Sequence, residues 1–235
     1  MNCITITADD LGLSPGVNRG IIRSHLEGPV MNASLMVHGP AVDGVDDVIR
    51  SCPHLAIGLH VDLGEWQYIE DQGWIVSYDR ADTDDPDAVS RELSDQLELF
   101  ERLVGRAPTH LDSHQHIHRT EPAAGLLLSI AERLGVALRE VTRPYLGGFY
   151  GQDNRSRPFP EAITPEAFAA VVASCVAPVT ELSCHPSLFA DTGSVYDTER
   201  VIELETLTSA TVGALCRELG DRLVRIDGQP KRPVT

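Results

Sequence analysis

The sequence predicts an α/β fold built on a mostly parallel sheet or barrel of about seven strands. Short runs rich in β-branched residues alternate with longer stretches of helical period. The length of 235 residues suits one barrel domain. The titratable residues also cluster where the candidate strands end, and in a parallel barrel those ends share one face.

The candidate strands are residues 3–8, 33–37, 55–60, 109–113, 136–141, 180–184 and 223–226. Helical spacing joins Val17, Ile21, Ile22 and Leu26, then Leu93, Leu97, Phe100 and Leu103, then Leu126, Leu127, Ile130 and Leu134. No composition shift divides residues 1–235, which read as a single catalytic barrel domain. Residues 64–87, ending in an acidic run that reads as solvated surface, and residues 145–161, rich in Gly, Pro and Arg, read as long loop insertions of the kind that shape sites. There is no internal repeat or low-complexity tract.

Composition narrows the partners. A formal net charge of −16 argues against nucleic acid and anionic membrane, both of which attract Lys and Arg. Five cysteines (Cys3, Cys52, Cys175, Cys184, Cys216) without a Cys-x-x-Cys pair argue against a disulfide framework and a thiolate zinc site, and fit a reducing cytoplasm. The sequence shows neither a secretion signal nor an apolar run of membrane-spanning length. A homodimer is the base-rate expectation for a soluble oligomer.

The segment from Thr109 to His118 holds four of the nine histidines and a carboxylate in ten residues. Imidazoles so concentrated point to a metal, and a carboxylate extends the choice to harder divalent ions. Interruption by Leu111, Asp112 and Ile117 argues against a tag. On an extended chain His110, Asp112 and His114 share a face, which can supply a metal ligand and a carboxylate that orients imidazole. Asp9 and Asp10 follow the first strand, His60 closes the third, Arg139 and Arg143 lie on or after the fifth, and His185 ends the sixth. Asp9 and Asp10 are adjacent, so they diverge and cannot play identical roles.

These residues resemble a known family. Ile6-Thr7-Ala8-Asp9-Asp10-Leu11-Gly12-Leu13-Ser14, Ala56-Ile57-Gly58-Leu59-His60, the run Pro108 to His118, and Cys184-His185-Pro186 are similar, in order and spacing, to the successive motifs of the YdjC-like carbohydrate deacetylases. The resemblance runs from Ile4 to at least Pro186. It implies a TIM-like barrel related to polysaccharide deacetylases, one divalent metal such as magnesium or zinc, and release of acetate from a small N-acetylated sugar such as a chitooligosaccharide. It also implies Asp10, His60 and His114 as metal ligands, Asp9 as base and His185 as acid. Leu11 departs from the Phe more usual after the paired aspartates.

Two imidazoles and one carboxylate leave coordination positions open, as a catalytic metal requires. Asp9 would accept a proton from the attacking water and His185 would protonate the leaving amine. Arg139 or Arg143 is expected either to hold an orienting carboxylate or to lie on the surface. His116 and His118 are candidates for sugar contact or solvated loop positions, and His110 for metal ligation or support of a ligand. Alternative readings are a metal-dependent phosphoester hydrolase, which would favour two ions, and a non-catalytic sugar- or metal-binding barrel.

Two patterns are decoys. Gly12-Leu13-Ser14-Pro15-Gly16 matches a serine-hydrolase elbow, but Pro15 lacks the N–H such an oxyanion hole needs; Ser14 is better read as a helix N-cap. Cys184 beside His185 faces the other way on a strand and reads as core. His25, His38 and His54 are given no role.

Overall fold

Strand β1 (Cys3–Leu11) sets the pattern of the sheet. Ile4, Ile6 and Ala8 alternate with Thr5, Thr7 and Asp9, and all six are buried, so apolar side chains take one face and polar ones the other. The structure, a computed structural model, describes residues 2–228. Helix α1 (Pro15–Glu27) follows, capped by Ser14, whose hydroxyl accepts the Val17 N–H at 3.0 Å. Strand β2 (Asn32–Leu35), helix α2 (Val45–Ser51) and strand β3 (Ala56–Val61) come next. A hairpin of β4 (Gly64–Ile69) and β5 (Gly73–Asp79) precedes α3 (Pro86–Val104). The remainder comprises β6 (His110–Ser113), α4 (Ala123–Leu134), β7 (Ala137–Leu138), β8 (Tyr145–Leu146), α5 (Pro165–Ala173), β9 (Val179–Cys184), α6 (Asp197–Leu207) and α7 (Ala210–Leu219).

Seven strands form one curled parallel sheet in the order β7-β6-β3-β2-β1-β9-β8, a TIM-like barrel. Among the described residues its two edges meet only at an isolated bridge between Arg139 and Arg143. Register carries the alternation of β1 around the sheet. Thr7 pairs with Asn32 and Ser183, Ser34 with Gly58, and His60 with Asp112, giving a polar interior. On the other face Ile4, Ile6, Ala33, Leu35, Ile57, Leu59, Leu111 and Leu182 join the apolar core. Gly58 leaves room for a neighbour: a Cβ there would lie 2.5 Å from the His110 ring.

Three expectations are corrected. The seventh strand is Tyr145–Leu146, from a segment expected to be irregular, and not residues 223–226. β2 pairs with β1 only from Thr7 onward, which leaves Ile4 a free edge; Leu223 makes a single bridge there. Beyond it, the Ile226 N–H donates to Asn32 Oδ1 at 2.8 Å, so this segment closes the end of the barrel where the strands begin. The expected strand at 136–141 is reduced to Ala137–Leu138, because Glu140 turns the chain with φ of +63°. The expected loop at 64–87 is largely the β4–β5 hairpin, whose turn uses positive φ at Asp71 and Gly73. Among the described residues no helix is long and apolar enough to cross a membrane.

Candidate active site

At the strand C-termini the polar interior opens into a cavity of about 620 Å³, within the range of small-molecule sites. Asp9 and Asp10 reach it from the end of β1. Asp10 is held at φ of +66°, a left-handed conformation that non-glycine residues rarely adopt. The structure brings Asp10, His60 and His114 together: Asp10 Oδ1 lies 3.3 Å from His60 Nε2 and 3.3 Å from His114 Nδ1. Each of the three offers a ligand atom, and these atoms lie within 4.8 Å of one another. Asp10 Oδ1 and His114 Nε2 are buried and make no hydrogen bond.

The donor set fits a cation. His60 Nδ1–H donates to Asp112 Oδ1 at 2.8 Å, which leaves the Nε2 lone pair facing a carboxylate oxygen. Such a pair is stable only with a proton or metal ion between its members. Burial lowers the His60 pKa, but Asp112 and Asp10 outweigh it and raise the imidazole to about 10. With protein groups alone a proton therefore occupies Nε2, and a divalent cation would take its place. For Asp10, burial raises the carboxyl, while Arg200 and the two imidazoles outweigh it and hold the group well below the usual carboxylate range.

Asp112 is supported in turn. Burial is outweighed by Arg139 and His60, which depress its carboxyl. Ser34 Oγ therefore donates to Asp112 Oδ2 at 2.6 Å, His110 Nε2–H donates to Ser34 Oγ at 3.1 Å, and Thr109 Oγ1 donates to His110 Nδ1 at 2.9 Å. His110 thus stands behind Asp112, away from both the metal group and the cavity.

Arg139, buried at the edge of the sheet, crosses the interior. It grips both oxygens of Asp9 at 2.7 and 2.8 Å, and reaches Asp112 at 2.6 Å and Glu181 at 2.9 Å. Arg143 does not join it. Its guanidinium donates to the Ile226 carbonyl at 2.9 Å, at the opposite end of the barrel. Four buried carboxylates (Asp9, Asp10, Asp112, Glu181) thus face two guanidiniums (Arg139, Arg200) and His60.

His185 lies across the cavity, its Nε2 3.8 Å from Asp9 Oδ2. The rings of Tyr150 and Tyr196 meet its edge at 5.5 Å each. Glu203 on α6 accepts its backbone N–H and lies 3.6 Å from Nδ1. Burial lowers the His185 pKa, but Glu203 and Asp9 outweigh it and the net direction is upward. Sequence reasoning missed α6 altogether, and with it Arg200, whose Nη2 donates to Asp10 Oδ2 at 2.7 Å.

Of the other two histidines of the cluster, His116 is half-buried and His118 is buried. His116 lines the cavity beside Tyr145, and burial, with Arg139 and Arg119, lowers its imidazole to about 3. His118 is buried outside the cavity, its Nδ1 2.6 Å from Ser113 Oγ and its Nε2 3.5 Å from Glu140. Cys184 is buried in the core, where burial and Glu203 push its thiol well above the usual range.

Comparison with known proteins places this geometry. The chain is 33% identical over 243 residues to a chitooligosaccharide deacetylase of Klebsiella pneumoniae (strain 342), covering 94% of this chain and 96% of the relative. It is 30% identical over 248 residues to one of Salmonella paratyphi B, covering 93% and 96%. A crystal structure from Enterococcus faecalis V583, described as a candidate cellobiose-phosphate cleavage protein, superposes with a TM-score of 0.71 at 26% identity, covering 96% of this chain and 97% of that one. A Streptococcus mutans CE4 esterase shares the fold, with a TM-score of 0.60 at 13% identity over 93% of this chain and 83% of its own. The YdjC-like protein family matches residues 3–218, and the chain belongs to that family.

Proposed function

We propose that the protein is a metal-dependent carbohydrate deacetylase that hydrolyses the N-acetyl group of a small N-acetylated sugar such as a chitooligosaccharide. The observation that carries this reading is the buried Asp10 Oδ1, which makes no hydrogen bond and lies 3.3 Å from each of two imidazole nitrogens, with Asp9 and His185 beside it. The names of the relatives support the substrate class.

Asp10, His60 and His114 would hold the ion. Bound there, a divalent cation such as magnesium or zinc supplies a Lewis acid for the amide carbonyl and lowers the pKa of water. Asp9 accepts the proton of the attacking water. Arg139 fixes both Asp9 oxygens, and each keeps a second lone pair for that proton. His185, whose proton affinity Glu203 raises, delivers a proton to the departing amine, without which the amine is a poor leaving group. Arg200 occupies one Asp10 oxygen and leaves the other for the ion. Asp112 orients His60 through its second nitrogen.

The test is acetate release from N,N′-diacetylchitobiose by protein supplied with magnesium or zinc, with His114→Ala run in parallel. Release by the intact protein that disappears with His114 is the expected result. Folded, metal-bound protein that releases no acetate from this or other N-acetylated sugars would sink the proposal.

A further inference from the structure

We infer that the β4–β5 hairpin is a docking platform for a second sugar ring, so that the cavity takes a disaccharide or longer chain in preference to a single ring. The inference rests on the deacetylase reading only for the identity of the first ring. The chain is poor in aromatics, with two tryptophans, five tyrosines and five phenylalanines. Both tryptophans, Trp66 and Trp74, nevertheless line the one cavity that holds Asp10, His60 and His114. Trp74 is 61% exposed and Val76, next on the same face of β5, is 54% exposed. An indole left in water at a cavity rim has no folding role to explain it, because full burial is what rewards a large apolar side chain.

The hairpin supports that indole as a fixed surface. Tyr68 and Trp74 are register partners, their rings edge to face with centroids 5.9 Å apart. The cavity that Trp74 lines also presents the amides and hydroxyls of Gln67, Gln115, Asn154 and Ser156, together with the charged Glu65, Arg119 and Asp153. A flat apolar face in a cavity rich in hydrogen-bonding groups matches a pyranose ring, which has a C–H face and a hydroxyl rim.

The hairpin is also tied to the metal group. Gln115 pairs with the Trp66 backbone as a neighbouring strand would: the Trp66 N–H donates to Gln115 Oε1 at 2.9 Å and Gln115 Nε2 donates to the Trp66 carbonyl at 2.7 Å. Gln115 follows His114 directly and sits at φ of +50°, a conformation that side chains other than glycine disfavour. The platform is thereby held at a fixed distance from the ion ligands, and a ring stacked on it sets where the first ring can lie.

The test measures sugar binding to metal-loaded Asp9→Asn protein by indole fluorescence. Probes are N,N′-diacetylchitobiose against N-acetylglucosamine, and cellobiose against glucose. Each disaccharide is expected to bind about tenfold more tightly than its monosaccharide. Trp74→Ala should remove that advantage, and Trp74→Phe should retain part of it. Equal affinities for disaccharide and monosaccharide in the Trp74-containing protein, or a disaccharide advantage that survives Trp74→Ala, would overturn the inference. So would a Trp74→Ala change that only converts a dimer to monomers, which would assign this face to a second copy of the chain. The unacetylated pair separates the two proposals. Trp74-dependent cellobiose binding, with no acetate release from N-acetylated sugars by the intact metal-loaded protein, would uphold the platform and reject the deacetylase reading. Acetate release by the intact protein without disaccharide preference would do the reverse.

Discussion

The cavity has two walls made from different kinds of sequence. On the strand side stand Asp9, Asp10, His60 and His114, the proposed base and ion ligands, each at or just beyond the end of a strand. On the helix side α6 brings Arg200 and Glu203, three residues apart and so on one face. Arg200 reaches Asp10, while Glu203 reaches His185. The proposed chemistry lies on the strand wall, and the helix wall shifts the pKa of Asp10 downward and that of His185, which follows β9, upward. A barrel mouth is thus tuned from outside the barrel.

Breaking the strand wall should have the largest effects. Asp9→Asn is expected to lower kcat for acetate release by about 10²–10⁴-fold while elemental analysis finds the metal content of the intact protein. Undiminished turnover would remove Asp9 as the base. Arg139→Met should destabilise the fold by about 3–5 kcal/mol in urea unfolding, because it strands three carboxylates in the interior. A smaller effect is expected behind the ligands: Asp112→Asn should weaken metal binding by about 10–100-fold, read by competition with a chelating dye.

Two pH experiments sharpen the contrast. His60 is raised to about 10, so at any lower pH metal entry displaces its proton, and apparent metal affinity should rise about tenfold per pH unit up to that value. A flat profile would place the ion elsewhere. His185 is also raised, so its acid form persists below the raised pKa and is lost as pH climbs through it. Glu203→Gln removes the main raising influence, and the alkaline limb of kcat/KM should move to lower pH. An unmoved limb would separate the helix wall from the acid.

The two walls also differ in how far the sequence reveals them. β1, β3 and β6 are legible because short runs with buried apolar residues carry Asp or His at or just beyond their ends, residue types that seldom stand at a buried strand end without a task. β8 is two residues long and carries no periodicity to read. The hairpin had a signal, since Trp66 and Tyr68 flank Gln67, and Val76 and Tyr78 flank Ser77, on either side of Asp71-Gln72-Gly73; the surrounding charge, and Ile75 between Trp74 and Val76, masked it. Arg200 and Glu203 had none. In Asp-Thr-Glu-Arg-Val-Ile-Glu-Leu-Glu-Thr-Leu a charged residue reads as solvated, and only the folded chain shows both buried. Arg143 and Arg139 look equivalent in sequence, four residues apart, yet they point to opposite ends of the barrel.

Gly58 ties two positions in the chain's history to each other. The His110 ring fills the volume that any side chain at 58 would claim, and that ring props Ser34 against Asp112. A lone methyl at 58 would be felt at His60 through three intervening side chains, His110, Ser34 and Asp112, none of which changes identity. Positions 58 and 110 can drift only as a pair, the one gaining bulk as the other sheds it, and descendants of this chain that keep the histidine inherit an obligation to keep the glycine.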